Sequence, residues 1–227
     1  LCPESPQTAS PCGLLGCLCC APAARDEAIA EAAAYLQYRA ESPNHPKFYS
    51  FTIVTNAWDI ALGDADDFLC DNLSSVVNKI SSGMACCSDI LLSIEADPID
   101  APEDTDSPYY KSVSKKTILE RLSTTYRWHL HGVLVVDERS CQDVKLIKDQ
   151  LQQYVRNFIP NGSSLRVCVK QIKVLTGSEV ANPTNQYADG WLAYMTKWLT
   201  GDRTQAALRR ALRLATHKSM ISGILST

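Results

Sequence analysis

Residues 128–136 read Trp-His-Leu-His-Gly-Val-Leu-Val-Val and end in four consecutive aliphatic residues. This run of aliphatic residues is typical of a β-strand buried inside a sheet. Side chains alternate along a strand, so His129 and His131 share one face while Leu130 points to the other. Two imidazoles side by side on a rigid, apolar strand favour a divalent metal ion bound between them. The alternative is a pair of core histidines that only pack.

The segments around this strand predict a sandwich built on one central sheet. Residues 26–40 are rich in alanine with acidic residues at their start, which predicts a helix. Residues 48–55 are β-branched and aromatic, which predicts a strand. The other predicted elements are helices over 64–80, 143–158, 185–199 and 205–216, and strands over 90–96 and 165–175. Strands separated by helices indicate an α+β or α/β fold.

Length and composition indicate one large domain. The chain has 227 residues, of which 45% are hydrophobic and 21% charged, so it can bury a substantial core. No apolar run approaches the roughly 20 residues that a membrane span requires.

Five of the ten cysteines fall within the first twenty residues, which favours reduced thiols over a disulfide framework. Residues 1–24 are predicted to be a poorly ordered Cys- and Pro-rich tail, and residues 25–227 the folded domain.

Charge is distributed unevenly along the chain. Residues 1–140 carry 10 basic and 20 acidic side chains, whereas residues 141–227 carry 12 basic and 5 acidic ones. A locally basic surface suggests a polyanionic partner, most commonly a nucleic acid. In the basic C-terminal helix over 203–218, Arg209, Arg210 and Arg213 would bind a nucleic-acid strand through its phosphates. The alternative is an ordinary solvated helix face.

Glu95 is an unexpected carboxylate at the end of a strand otherwise made of Ile, Leu and Ser. If that strand neighbours the one carrying His129 and His131, Glu95 is the third metal ligand. Two imidazoles and one carboxylate leave open positions for water and a phosphate oxygen, a set that suits Mn²⁺ or Mg²⁺. Otherwise Glu95 is a strand-end glutamate exposed to water.

One predicted helix carries a possible nucleophile. At about 100° per residue, Tyr187, Trp191, Tyr194 and Trp198 fall on one narrow stripe, and Lys197 borders it. Aromatic stripes usually face the core, but a bordering lysine is unusual there. A tyrosine hydroxyl can attack a phosphate that a metal polarises. A nearby ammonium then stabilises the charge that develops at phosphorus.

Three short motifs resemble those of a known superfamily. The segment from His129 to His131 is similar to the His-hydrophobic-His motif of the HUH endonucleases, which are replication initiators, relaxases and related transposases. Residues 51–55, Phe-Thr-Ile-Val-Thr, look like the first motif of the rolling-circle initiators. Residues 194–197, Tyr-Met-Thr-Lys, look like their Tyr-x-x-Lys motif. The three motifs occur in the expected order within residues 48–200.

The resemblance implies an α+β fold of the ferredoxin-like or RRM-like type, with a central antiparallel sheet of about five strands flanked by helices. It implies that His129 and His131 are metal ligands. Tyr194 would be the single nucleophile, forming a 5′-phosphotyrosine link and releasing a 3′-hydroxyl, while Lys197 assists at the scissile phosphate. Thr52 would contact the metal environment or the DNA backbone phosphates.

The implied function is nicking and rejoining of single-stranded DNA at an origin, which initiates rolling-circle replication. A relaxase or single-tyrosine transposase is the alternative within the superfamily. A non-catalytic nucleic-acid-binding module and a phosphoesterase without a covalent intermediate are the other candidates.

No Gly-x-x-x-x-Gly-Lys-[Ser/Thr] motif occurs in the sequence. We therefore expect no nucleotide cofactor, and we expect any helicase to come from the host. The expected location is the cytoplasm of a bacterium or host cell, or the nucleus for a eukaryotic virus.

Overall fold

The structure is a computed structural model that describes residues 21–61, 64, 68–84, 87, 89–99, 125–137, 143–175 and 186–195. Its elements are α1 (Ala21–Ala40), β1 (Lys47–Ala61), a π-helical segment (Phe68–Leu73), α2 (Ser74–Gly83), β2 (Asp89–Pro98), β3 (Thr125–Val136), α3 (Val144–Arg156), β4 (Leu165–Ile172) and α4 (Ala188–Met195). Helix α1 begins at Ala21, inside the segment predicted as tail. The predicted helix over 205–216 lies outside the described residues.

The strands form an antiparallel sheet in the order β2-β3-β1-β4, with helices on both of its faces. This confirms the predicted α+β class, with four strands in the described part of the chain where about five were expected. Strand β3 lies inside the sheet, and each residue from Trp128 to Val136 is buried. A strand with neighbours on both edges and helices on both faces needs apolar residues on both sides, which explains its aliphatic run.

Helices α2 and α3 cover one face of the sheet. Leu130 of β3 and Phe51 of β1 belong to this core, together with Ile147, Leu151 and Val155 of α3. The three α3 residues recur every fourth position and so form one helical stripe.

Helices α1 and α4 pack on the opposite face. Val133 and Val135 of β3 join Leu36 of α1 and Trp191 of α4 in a second core. His129 and His131 are separated from Val133 and Val135 by even numbers of residues, so they share this face. The side chains predicted to bind a metal therefore lie on the side of the sheet that carries α4.

A partly buried ionic network anchors the end of α1 to the sheet. The Arg39 guanidinium hydrogen-bonds Asp89 at the start of β2 and lies 3.0 Å from Asp137, just after β3. Burial lowers the pKa of Arg39, but the charges of Asp89 and Asp137 and its bond to Tyr35 raise it overall. The arginine therefore remains charged and ties three elements together.

Strand β1 contains an irregularity that shapes one end of the sheet. Its pairing with β3 shifts between Val54 and Asp59, and the Thr55 hydroxyl accepts a 3.1 Å bond from the Ala57 amide within this bulge. Asp59 then lies opposite Arg127 and accepts two hydrogen bonds of 2.6 Å from it. Those bonds raise the pKa of Arg127.

Within the described ranges, none of the helices combines the length and hydrophobicity needed to traverse a lipid bilayer.

Candidate metal centre

The pairing of β2 with β3 assembles a compact group of three candidate metal ligands. Glu95 lies directly opposite His129. One carboxylate oxygen of Glu95, Oε2, lies 2.9 Å from Nε2 of His131 and 3.2 Å from Nε2 of His129. The candidate ligand atoms of the three residues all lie within 4.8 Å of one another. The two strands are therefore neighbours, as the assignment of Glu95 required.

All three side chains are withdrawn from water. Glu95 is 3% exposed, His129 5% and His131 1%. Strand β2 continues beyond Glu95 to Pro98, so this carboxylate is not at a solvated strand end. Burying a carboxylate is costly unless positive charge and hydrogen bonds compensate it. The site therefore favours a bound cation, or a proton, between the carboxylate and the imidazoles.

The other ring nitrogen of His129, Nδ1, contacts the backbone, and this contact bears on whether Nε2 has a lone pair facing Glu95. Nδ1 of His129 lies 3.2 Å from the carbonyl oxygen of Arg127. A carbonyl can only accept, so this contact favours the tautomer that carries its proton on Nδ1, and in that tautomer Nε2 has the lone pair. That lone pair faces Glu95 Oε2, which is also an acceptor. A metal ion between them turns this repulsion into two coordinate bonds.

The group can hold a divalent metal ion. Its donors are two imidazole nitrogens and one carboxylate, a combination that first-row divalent metals accept. Three protein donors leave further coordination positions for water or a substrate oxygen. The residues present thus fit the metal site that the sequence predicts.

Two buried hydrogen bonds dock α4 beside this group. The indole Nε1 of Trp191 donates to the carbonyl oxygen of Gly132 at 3.0 Å. The hydroxyl of Ser93, which lies opposite His131 in the β2–β3 register, donates to the carbonyl oxygen of Met195 at 2.7 Å. Helix α4 is therefore attached to the two strands that carry the candidate ligands. Neither contact is predicted by the residue patterns of the sequence.

The docked helix brings Tyr194 against the candidate ligands. The Tyr194 ring centroid lies 5.3 Å from that of His131, with the rings nearly perpendicular. On its other side Tyr194 stacks on Trp191 at 5.2 Å. Trp191 is 8% exposed and belongs to the core, whereas Tyr194 is only half-buried. The phenol thus lies at the border between the core and the candidate metal centre.

Tyr187 lies elsewhere. It precedes α4 and bridges Lys173, just after the end of β4. The adjacent β4 residue, Ile172, pairs with Phe48 of β1. Phe48 is four residues from Thr52, or about 14 Å along an extended strand. Of these two tyrosines, the structure brings only Tyr194 next to the histidines.

Thr52 contacts a candidate ligand directly. It lies opposite His131 in the β1–β3 register, and its hydroxyl oxygen is 2.9 Å from Nδ1 of His131. This contact is with a candidate metal ligand, and a contact of Thr52 with DNA backbone phosphates stays a prediction. Thr55 is buried and serves the bulge, as an ordinary strand threonine would.

Gly132, which directly follows His131, leaves no room for a side chain. A Cβ atom there would lie 2.4 Å from Cε1 of Phe51 and 2.5 Å from the carbonyl oxygen of Leu91. The β2 backbone and the core ring therefore close tightly around the histidine strand. A glycine inside an otherwise aliphatic strand is the sequence signal for such a close approach.

The remaining predicted site residues, Lys197, Arg209, Arg210 and Arg213, lie outside the described residues, as does Trp198. Comparison with protein-family models, with curated proteins and with solved structures finds no match to this chain.

Proposed function

We propose that this chain is a metal-dependent endonuclease and strand transferase that nicks single-stranded DNA at a replication origin. The observation that carries the proposal is the placement of Tyr194, whose ring packs against His131 of the buried Glu95–His129–His131 group. A phenol beside a candidate metal centre combines a possible nucleophile with a metal ion that would activate the phosphate it attacks. The ordered resemblance to HUH endonucleases names Tyr194, His129 and His131, whereas the role of Glu95 rests on strand pairing.

In this proposal the Tyr194 oxygen attacks phosphorus of the scissile phosphodiester. The bond from phosphorus to the 3′ oxygen breaks as the bond to the phenol oxygen forms. The phenol loses its proton to solvent, and the leaving 3′ oxygen takes one up. The product is a 5′-phosphotyrosine with a free 3′-hydroxyl. Because the new phosphodiester retains the energy of the old one, the strand can be rejoined without a nucleotide.

Glu95, His129 and His131 would hold the ion, for which we propose Mn²⁺ or Mg²⁺. When bound, such an ion polarises a phosphate oxygen and offsets the charge that develops in the transition state. The contribution of α4 is to keep the phenol in place through Trp191 and Ser93, so that little entropy is lost at the reacting centre. Lys197, three residues after Tyr194, is proposed to stabilise the scissile phosphate.

The test uses a pool of single-stranded oligonucleotides of random sequence with Mn²⁺ or Mg²⁺. We expect a covalent protein–DNA adduct on a denaturing gel, which mass spectrometry assigns to Tyr194. Tyr194→Phe should abolish the adduct while DNA binding persists. Tyr187→Phe is the matched control, and it should still form the adduct.

The alternatives give different outcomes in the same assay. A phosphoesterase without a covalent intermediate would cleave DNA with no adduct, and Tyr194→Phe would leave its cleavage unchanged. A non-catalytic module would bind DNA with neither cleavage nor adduct. Either result, or an adduct that persists in Tyr194→Phe, contradicts the proposed nucleophile.

A further inference from the structure

The hydroxyl of Thr52 contacts His131, one of the three candidate metal ligands. We infer that Thr52 is a positioning residue that orients the His131 ring through a hydrogen bond to Nδ1, whichever tautomer is present, and thereby keeps Nε2 directed at the position of a metal ion. This inference rests on the metal centre of the proposed function, but it does not depend on DNA cleavage.

The geometry makes Thr52 the polar partner of His131 on the side away from Glu95. The Thr52 hydroxyl lies 2.9 Å from Nδ1 of His131, and Glu95 lies 2.9 Å from its Nε2. The ring is 1% exposed, so bulk water does not compete for Nδ1. Threonine is β-branched and stiff about its first side-chain torsion, which holds the hydroxyl in place on the strand.

A hydroxyl, unlike a carbonyl, can donate or accept. Without a metal ion, Nε2–H of His131 can donate to Glu95 while the Thr52 hydroxyl donates to Nδ1. With a metal ion, Nε2 must offer its lone pair, so the single ring proton sits on Nδ1 and the rotated Thr52 hydroxyl accepts it. The ring carries one N–H proton in both forms. Thr52 therefore serves either state.

His129 shows the contrasting arrangement within the same group. Its Nδ1 faces the Arg127 carbonyl, which accepts in every state and so favours one tautomer. The two histidines therefore depend on different groups for their orientation. Of the two Nδ1 contacts described, the one to His129 comes from backbone and the one to His131 comes from a side chain, so the latter can be removed by substitution.

The experiment measures Mn²⁺ binding to the full chain by calorimetry. Thr52→Val keeps the shape of threonine and removes the hydroxyl, so we expect affinity to fall about 10- to 100-fold. Thr52→Ser restores the hydroxyl and should bind Mn²⁺ close to wild type. Thr55→Val is the matched control, since it removes a buried hydroxyl from the same strand without touching a candidate ligand. Unchanged affinity in Thr52→Val, or an equal loss in Thr55→Val, overturns the inference.

A second measurement needs no variant. In ¹⁵N spectra of wild-type protein loaded with Zn²⁺, His131 should carry its proton on Nδ1 and bind through Nε2. Coordination through Nδ1 overturns the inference even if Thr52→Val fails to fold. A wild-type protein that shows these binding results but forms no DNA adduct would refute the nuclease alone. A normal adduct with metal binding that is insensitive to Thr52→Val would refute this inference alone.

Discussion

Replacing Gly132 by alanine should destabilise the fold strongly, because the new methyl group has nowhere to go. Its Cβ would meet Phe51 Cε1 at 2.4 Å and the Leu91 carbonyl oxygen at 2.5 Å. Ordinary contacts begin near 3.4 Å, so one neighbour or the strand itself must move by about 1 Å. Phe51 is 1% exposed, and Leu91 contributes backbone from the adjacent strand. Neither group can swing into solvent.

The cost can be bracketed from these contacts. Overpacking a core costs about 1–3 kcal/mol, and a clash with backbone belongs at the upper end. Alanine recovers at most about 1 kcal/mol through the lower entropy of the unfolded chain. The expected net loss in the free energy of unfolding for Gly132→Ala is therefore about 2 kcal/mol. Since His131 precedes Gly132, the affinity for Mn²⁺ should fall as well.

Urea unfolding followed by circular dichroism measures this loss. The comparison is Gly162→Ala, in a turn where φ is +87° and no atom lies within 4 Å of the added Cβ. That change costs about 1 kcal/mol through backbone strain alone. If Gly132→Ala unfolds at the same urea concentration as wild type, or loses less than Gly162→Ala, the close packing around the histidine strand is not as described.

Two further predictions concern charge. Glu95→Gln removes the carboxylate charge from between His129 and His131, and it should weaken Mn²⁺ binding by on the order of 100-fold or more, beyond the loss typical of an outer hydrogen-bond partner. Mn²⁺ should then raise the Tm of wild type but not of this variant, and an equal rise in both would contradict the ligand assignment. Burial, and then the hydrogen bond and charge of Asp89, raise the pKa of Tyr35 to about 12. The folded state therefore holds this proton more tightly than the unfolded state, so stability is fully present below pH 10 and is lost as pH rises towards 12. Urea unfolding at several pH values should show a shallower decline for Tyr35→Phe, and an identical decline would rule this tyrosine out.

Several features could be predicted because they depend only on local periodicity. His129 and His131 share a face because strand side chains alternate, whatever the neighbouring strands are. The helical pattern over 143–158 predicted a helix in the same way, and in the structure its buried stripe is Ile147, Leu151 and Val155. The pattern over 64–80 predicted a helix, and the structure has the π-helical segment Phe68–Leu73 before α2 within that range. Such a change of winding leaves little mark on hydrophobic spacing.

The role of Glu95 could not be predicted from local sequence patterns alone, because it depends on strand pairing. It lies 34 residues before His129, and the sequence predicted its role only on the condition that the two strands pair. Pairing alone is not sufficient, because a slip of one residue would turn Glu95 to the other face. The observed register places it directly opposite His129. This register is selected by the packing of both cores against α1 to α4.

The residue patterns were enough to predict helices and strands around one sheet, a buried histidine strand and two imidazoles on one face, whereas the choice of α+β over α/β came from the resemblance. Only the tertiary structure decided that Glu95, Thr52 and Tyr194 meet those imidazoles. Each belongs to a different element far away in the chain, and each arrives through strand register or through the docking of α4. The physical reason is that alternation along a strand is local, whereas register and docking minimise the free energy of the whole packed sheet.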